Sequence, residues 1–102
     1  MKNETENDSV NEDVFWETVD AIVELANQTS EKADPGVAAS AVMQAAARYC
    51  AFYAAASSES RKDLKDDKDV IVQDFTREFK KHFATNLEEY IEHYKLYIGV
   101  EE

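Results

Sequence analysis

Residues 34–57 read DPGVAASAVMQAAARYCAFYAAAS, and this stretch decides the fold. Asp34 suits an N-cap, because its carboxylate can accept hydrogen bonds from free backbone N–H groups. Pro35 then takes the first helical position, where its missing N–H costs nothing. Alanine, which has the highest helix propensity, fills much of the remainder. A helix that is apolar nearly all round is usually buried, so the stretch predicts a long helix at the centre of a small helical domain.

The same stretch approaches the length of a membrane span, which needs about 20 mainly apolar residues. Gln44 and Arg48 lie near its middle, and an Arg at the centre of a span costs about 2.5–3.5 kcal/mol on insertion scales. We therefore expect no membrane segment.

The flanking segments also predict helices. Residues 13–28 carry an apolar stripe at helical spacing, formed by Phe15, Val19, Ile22, Val23 and Ala26. Residues 70–98 carry another, formed by Ile71, Phe75, Phe79, Phe83, Leu87, Tyr90, Ile91, Tyr94 and Ile98. Two glycines and one proline are too few for the many turns of an all-β fold. The sequence predicts an all-α fold, a small bundle of three to four helices around the alanine-rich one.

The ends of the third segment are less clear from the sequence. Ser60 with Asp63 resembles a helix cap, and Gly99 fits the position just past a helix end. Asn86 with Glu89 also has capping-box character, and a helix much longer than 25 residues is unusual in a small domain. We therefore predict a break or bend near Thr85–Asn86, although one helix or two over residues 60–98 both fit the pattern.

Composition sets the predicted domain bounds. Residues 1–12 are polar and acidic, and they have too little apolar surface to offset the entropy of ordering. We therefore predict that they form a disordered tail. A single helical domain is expected over residues 13–99, followed by a short tail at residues 100–102. A length of 102 residues supports one domain.

The charge balance excludes some partners. The net charge of −11 opposes binding to nucleic acid, which depends on Lys and Arg at phosphates, and to anionic membrane surfaces. It permits a protein partner with a basic surface, and its simplest consequence is solubility. One cysteine cannot form an internal disulfide, and no signal peptide is evident, so we expect a reducing cytoplasm.

Several short patterns together resemble a small bacterial family of helical proteins that is classed as a domain of unknown function. They are Phe15-Trp16, Leu25-Ala26-Asn27, Pro35-Gly36, Ala45-Ala46-Ala47-Arg48-Tyr49 and Ala51-Phe52. The resemblance spans roughly residues 14–97. It implies a bacterial, cytosolic, helical protein, and it brings no activity, ligand or functional residue.

The patterns around the histidines, the cysteine and the tyrosines indicate structural rather than chemical roles for these residues. His82 and His93 each follow a Glu at i,i+4, whereas carboxylate-bridged metal sites in bundles use Glu-x-x-His from two helices. Cys50 lies on the more apolar half of its helix, where a free cysteine usually behaves as a small hydrophobe. The tyrosines at 90, 94 and 97 have the helical spacing typical of a core or interface. We expect no catalytic residues, no metal and no cofactor.

One ion pair is predicted between the first two helices. Arg48 is the only charged residue between Val37 and Ser57, and Asp20 flanks the apolar stripe of the first helix. A short connection makes consecutive helices antiparallel neighbours, and a guanidinium suits a carboxylate partner. An Arg48 that reaches solvent is the alternative. Asp20, Asn27, Arg48 and Tyr49 are thus the candidate residues for an ion pair or a ligand pocket.

Two function classes follow from these observations. Because the apolar faces exceed the elements available to cover them, the first is a non-enzymatic interaction module that self-associates, with a homodimer as the expected form. The alternative is a small-ligand-binding or enzymatic protein with a pocket between the first two helices. The native mass of the protein and any co-purifying small molecule distinguish these two classes.

Overall fold

The computed structural model describes residues 4–99, with side chains from Asp8 onward. These residues form three long helices and a short fourth: α1 (Glu4–Ser30), α2 (Pro35–Ser57), α3 (Arg61–Glu92) and α4 (Tyr94–Ile98). No strand occurs among them. The predicted all-α class with three to four helices is confirmed. The predicted tail at residues 100–102 lies outside the described residues.

The first helix begins earlier than the sequence predicted. Its predicted start was Asp13, after a disordered tail, but residues 4–12 are helical in the structure. Acidic residues are abundant at this end of the chain, and negative charge near a helix N-terminus is stabilised by the helix dipole. That effect can extend a helix into a segment with almost no apolar content. The predicted single domain over residues 13–99 stays a prediction.

The alanine-rich helix α2 has the predicted N-terminus. The Oδ1 atom of Asp34 accepts a hydrogen bond from the Gly36 backbone N–H at 2.8 Å, and the helix begins at Pro35. A Cβ at Gly36 would lie 3.2 Å from that same oxygen, so glycine leaves room for the cap. Asp34 therefore acts as the N-cap of α2, as predicted.

Helix α3 is a continuous 32-residue helix, about 48 Å long at 1.5 Å per residue. Its N-cap is Ser60, whose hydroxyl oxygen accepts a hydrogen bond from the Asp63 N–H at 3.1 Å, as predicted. The predicted break near Thr85–Asn86 is wrong. The Asn86 side-chain amide instead donates to the His82 carbonyl oxygen at 2.7 Å, one turn back within the same helix. The chain leaves helical geometry at His93 (φ −119°, ψ 37°).

The chain divides between Tyr49 and Cys50 into two compact units. In the first unit the less exposed residues lie on either side of the α1–α2 connection, and they are Val19, Ala26, Thr29, Ser30 and the buried Ala38. In the second unit they lie on either side of the α2–α3 connection, and they are Cys50, Ala54, Ser58, Leu64 and Ile71. Burial thus follows the two connections between helices.

Most large apolar side chains remain exposed in the single chain. Among the described residues only Ala38 is buried, with 4% of its surface exposed. On α2 the aromatic side chains of Phe52 and Tyr53 are 63% and 59% exposed. This differs from the burial that the composition of α2 led us to expect. The difference has a physical reason, because an alanine-rich segment forms a helix through its intrinsic propensity and needs no packing to do so.

Candidate interaction surface

The candidate residues from the sequence lie on α1 and α2 within the first unit. Asp20 and Asn27 are exposed on α1, and Arg48 and Tyr49 are exposed near the middle of α2. Ion pairs within 4.0 Å occur along α3 and at its C-cap in the described part of the chain. The Asp20–Arg48 pair stays a prediction, and so does a pocket at these four residues.

The two histidines pair with the glutamates that precede them. Nε2 of His82 lies 3.7 Å from Oε2 of Glu78, and Nε2 of His93 lies 3.6 Å from Oε1 of Glu89. Both are i,i+4 contacts on an exposed helix surface, the arrangement that the sequence favoured over a metal site. No group of three or more His, Cys, Asp or Glu side chains in the described part of the chain is arranged to hold a metal ion.

A cluster of ring contacts and one hydrogen bond joins the end of α3 to α4. The ring centroids of Tyr90 and Tyr97 are 4.8 Å apart, and those of His93 and Tyr97 are 6.3 Å apart. The Tyr97 hydroxyl donates a hydrogen bond to Oε1 of Glu89 at 3.1 Å. This hydrogen bond and the adjacent negative charge raise the pKa of Tyr97 above its usual value of 10.0. The cluster holds α4 against the end of α3.

The sequence identified residues of this cluster but not how they are arranged in space. The Glu89–His93 pair was recognised from its i,i+4 spacing, but the contact between Glu89 and Tyr97 spans eight residues. Such a contact depends on the change of backbone direction at His93, where neither glycine nor proline gives a signal. The Tyr90–Tyr97 spacing of seven residues was the available hint.

An apolar surface runs along α3. Phe79 and Phe83 are 51% and 56% exposed, and their ring centroids are 5.6 Å apart. We call this surface the α3 apolar face, and it consists of Ile71, Phe75, Phe79, Phe83, Leu87 and Tyr90. Soluble proteins seldom expose contiguous apolar patches, and such patches are typical of sites that bind other proteins or ligands.

A second apolar surface lies on α1. It consists of Phe15, Val19, Ile22, Val23 and Ala26, and we call it the α1 apolar face. The rings of Phe15 and Trp16 pack edge to face with centroids 4.9 Å apart, yet both side chains are more than half exposed. From Glu4 to Ser30 the helix has eight acidic residues and no basic one. The α1 apolar face is therefore set in a strongly negative helix.

Two further observations bear on where the chain could act. Within residues 4–99, no helix combines the length and the hydropathy that crossing a bilayer requires. Cys50 is a free, half-buried cysteine on α2.

Comparison with known proteins gives a family and no activity. No curated protein and no solved structure is similar enough to the chain to count as a match. A family model described as a protein of unknown function (DUF3144) matches residues 15–91, which include most of α1, all of α2 and nearly all of α3. The chain therefore belongs to the DUF3144 family of proteins of unknown function.

Proposed function

We propose that this protein is a non-enzymatic interaction module that works as a homodimer in the cytoplasm. The observation that supports the proposal most directly is the exposure of the α3 apolar face, where Phe79 and Phe83 are each about half exposed. At about 25 cal/mol per Å² of apolar surface removed from water, covering such a face is strongly favourable. A second copy of the chain is the commonest partner for a soluble protein.

The charge and the cysteine content agree with this proposal. A net charge of −11 keeps the chain soluble despite its exposed apolar side chains, and it disfavours nucleic acid and anionic membranes as partners. A protein partner with a basic surface would also be attracted by this charge. The single free cysteine suits a reducing compartment.

The native mass of the protein tests the proposal. Light scattering over a concentration series should give twice the mass of the 11.6 kDa chain. A monomer mass that persists at high micromolar concentration would exclude the dimer. Intact-mass spectra of the purified protein should show the chain without a tightly held small molecule, which a ligand-binding protein would often retain.

A pair of variants tests whether the α3 apolar face is the surface that associates. Phe83→Ser should weaken the dimer, since it removes an aromatic side chain that is 56% exposed in the single chain. Ala84→Ser places the same residue type on the neighbouring side of the helix, and it should leave the mass unchanged. Circular dichroism should show equal helix content in both variants, because neither position is buried. Equal masses for the two variants would exclude the α3 apolar face as the site of association.

A further inference from the structure

The large apolar residues of α3 are placed almost symmetrically about the middle of the α3 apolar face. Phe83 and Leu87 lie on either side of residues 84–85, and Phe79 and Tyr90 lie one turn further out. A second α3 that runs in the opposite direction, centred on the same residues, therefore meets Phe79 with Tyr90 and Phe83 with Leu87. All four side chains are at least 47% exposed in the single chain, so each is available to such a partner.

The two halves of this part of α3 carry opposite charge. Residues 75–83, the basic half, have three basic side chains and one acidic one, whereas residues 84–92, the acidic half, have three acidic side chains and no basic one. Residues 61–70 mix both signs, but in a pair centred on residues 84–85 they extend past the last residue of α4 of the second copy. An antiparallel pair thus brings the basic half of each helix beside the acidic half of the other.

The order of these charges along α3, rather than their sum, distinguishes the possible partners. Acidic residues outnumber basic ones over the whole of α3. A parallel copy of α3 would place the acidic half beside itself, and like charges opposite each other act against association. An acidic helix such as α1, with eight acidic residues and no basic one, would complement the basic half alone. An antiparallel copy of α3 complements both halves.

One flank of the face carries side chains that suit the same pairing. His82 and Glu89 are seven residues apart, which puts them on one side of the helix. Nε2 of His82 lies 3.7 Å from Oε2 of Glu78, too far for a strong hydrogen bond, so the imidazole can turn to another carboxylate. Oε1 of Glu89 accepts from Tyr97, and a carboxylate has a second oxygen to accept another donor.

We propose that α3 of one copy packs antiparallel on α3 of a second copy, with the two-fold axis at residues 84–85. This inference rests on the proposed self-association, and it names the surface and the orientation. In antiparallel helices the same flank of each helix faces the other, so His82 of each copy lies beside Glu89 of the other. Two-fold symmetry repeats every contact, so the dimer contains two His82–Glu89 contacts.

Distances between spin labels test the orientation without changing the α3 apolar face. In a Cys50→Ser chain, Lys65→Cys carries a label near the start of α3, and Ala84→Cys carries one near its middle. Both positions are exposed. At 1.5 Å per residue, an antiparallel dimer separates the two labels at position 65 by about 60 Å and keeps those at position 84 within about 30 Å. Pulsed electron paramagnetic resonance measures both distances, and the labelled chains should keep the mass and helix content of the unmodified chain.

A charge substitution tests the register of the pair. His82→Glu places two carboxylates opposite each other twice per dimer, and it should raise the dissociation constant about tenfold or more at low salt. Ala84→Glu also adds one acidic residue, but on the neighbouring side of α3, and it should leave the dissociation constant unchanged. Sedimentation equilibrium measures both variants, and circular dichroism checks their helix content. Equal dissociation constants for the two variants overturn the His82–Glu89 pairing.

The native mass separates this inference from the proposed function. An unmodified chain that is a monomer fails the proposed function, and with it the antiparallel pair. An unmodified dimer with short distances at both label positions has parallel α3 helices, and one with long distances at both associates through another surface. Either dimer keeps the self-association and overturns the antiparallel pairing alone.

Discussion

At the scale of single residues, Tyr97 is the side chain whose chemistry the structure changes most clearly. Its hydroxyl donates to the Glu89 carboxylate at 3.1 Å, and this contact raises the pKa of Tyr97. Because the pKa is raised in the folded chain, the contact stabilises the α3–α4 junction at pH values below the ordinary tyrosine pKa of about 10. That stabilisation is lost as the pH rises through the raised value.

A tyrosinate titration by ultraviolet absorbance checks this interpretation of Tyr97. We expect one component among the five tyrosines to ionise later than an ordinary tyrosine. Tyr97→Phe should remove the late component, and Glu89→Gln should shift it back toward the ordinary range because the adjacent charge is gone. Tyr53→Phe, which changes a tyrosine of α2, should retain it. A late component that survives in Tyr97→Phe would contradict the assignment.

Arg48 provides a second prediction at this scale. Its side chain is exposed, and exposed ion pairs contribute at most about 1 kcal/mol. Arg48→Gln should therefore lower the free energy of unfolding by no more than about 1 kcal/mol in a denaturant titration. A loss of about 3–5 kcal/mol would instead indicate a buried pair whose carboxylate is left stranded. A double-mutant cycle with Asp20→Asn measures the coupling directly, and additive losses would exclude the pair.

At the scale of elements, the N-terminal part of α1 should contribute little to stability. Residues 8–12 are exposed, and Val10 is the one apolar residue after Met1 in the first dozen. A chain that starts at Glu12 should melt within a few degrees of the full chain in a thermal scan at matched concentration. A chain that starts at Glu17 also loses the Phe15–Trp16 pair, and it should melt lower. A large loss of melting temperature in the first truncation would show that the early helix packs against a partner.

Local chemistry explains which features of the elements were predictable from the sequence. The caps at Asp34 and Ser60 each need one short side chain beside a helix start, and both were predicted correctly. Gly99 was also predicted, and it ends α4 with a left-handed φ of 79°. Asn86 misled the prediction because the same amide can cap a new helix or bond the preceding turn, and only the backbone conformation decides between them. The Tyr97–Glu89 contact was not predicted because it also depends on the backbone conformation, in this case the bend at His93.

At the scale of the whole molecule, the sequence predicted the helices more reliably than their burial. Periodicity identifies which side of a helix is apolar, as it did for the α3 apolar face, but it does not identify the surface that covers that side. The candidate site depended on two helices facing each other, so Asp20 and Arg48 could be named from the sequence but their pairing could not be established. The family match covers residues 15–91 and adds no chemistry to these residues.

If the chain self-associates as proposed, its exposed apolar side chains also link its stability to its abundance. For a chain that associates through residues such as Phe79 and Phe83, the dimer stabilises the folded helices, and dilution favours the less stable single chain. Each tenfold fall in chain concentration would remove about 1.4 kcal/mol of stability per mole of dimer. A cell that makes little of the protein would then hold a larger fraction of it unfolded and open to proteolysis, so the rate of synthesis would help to set its lifetime.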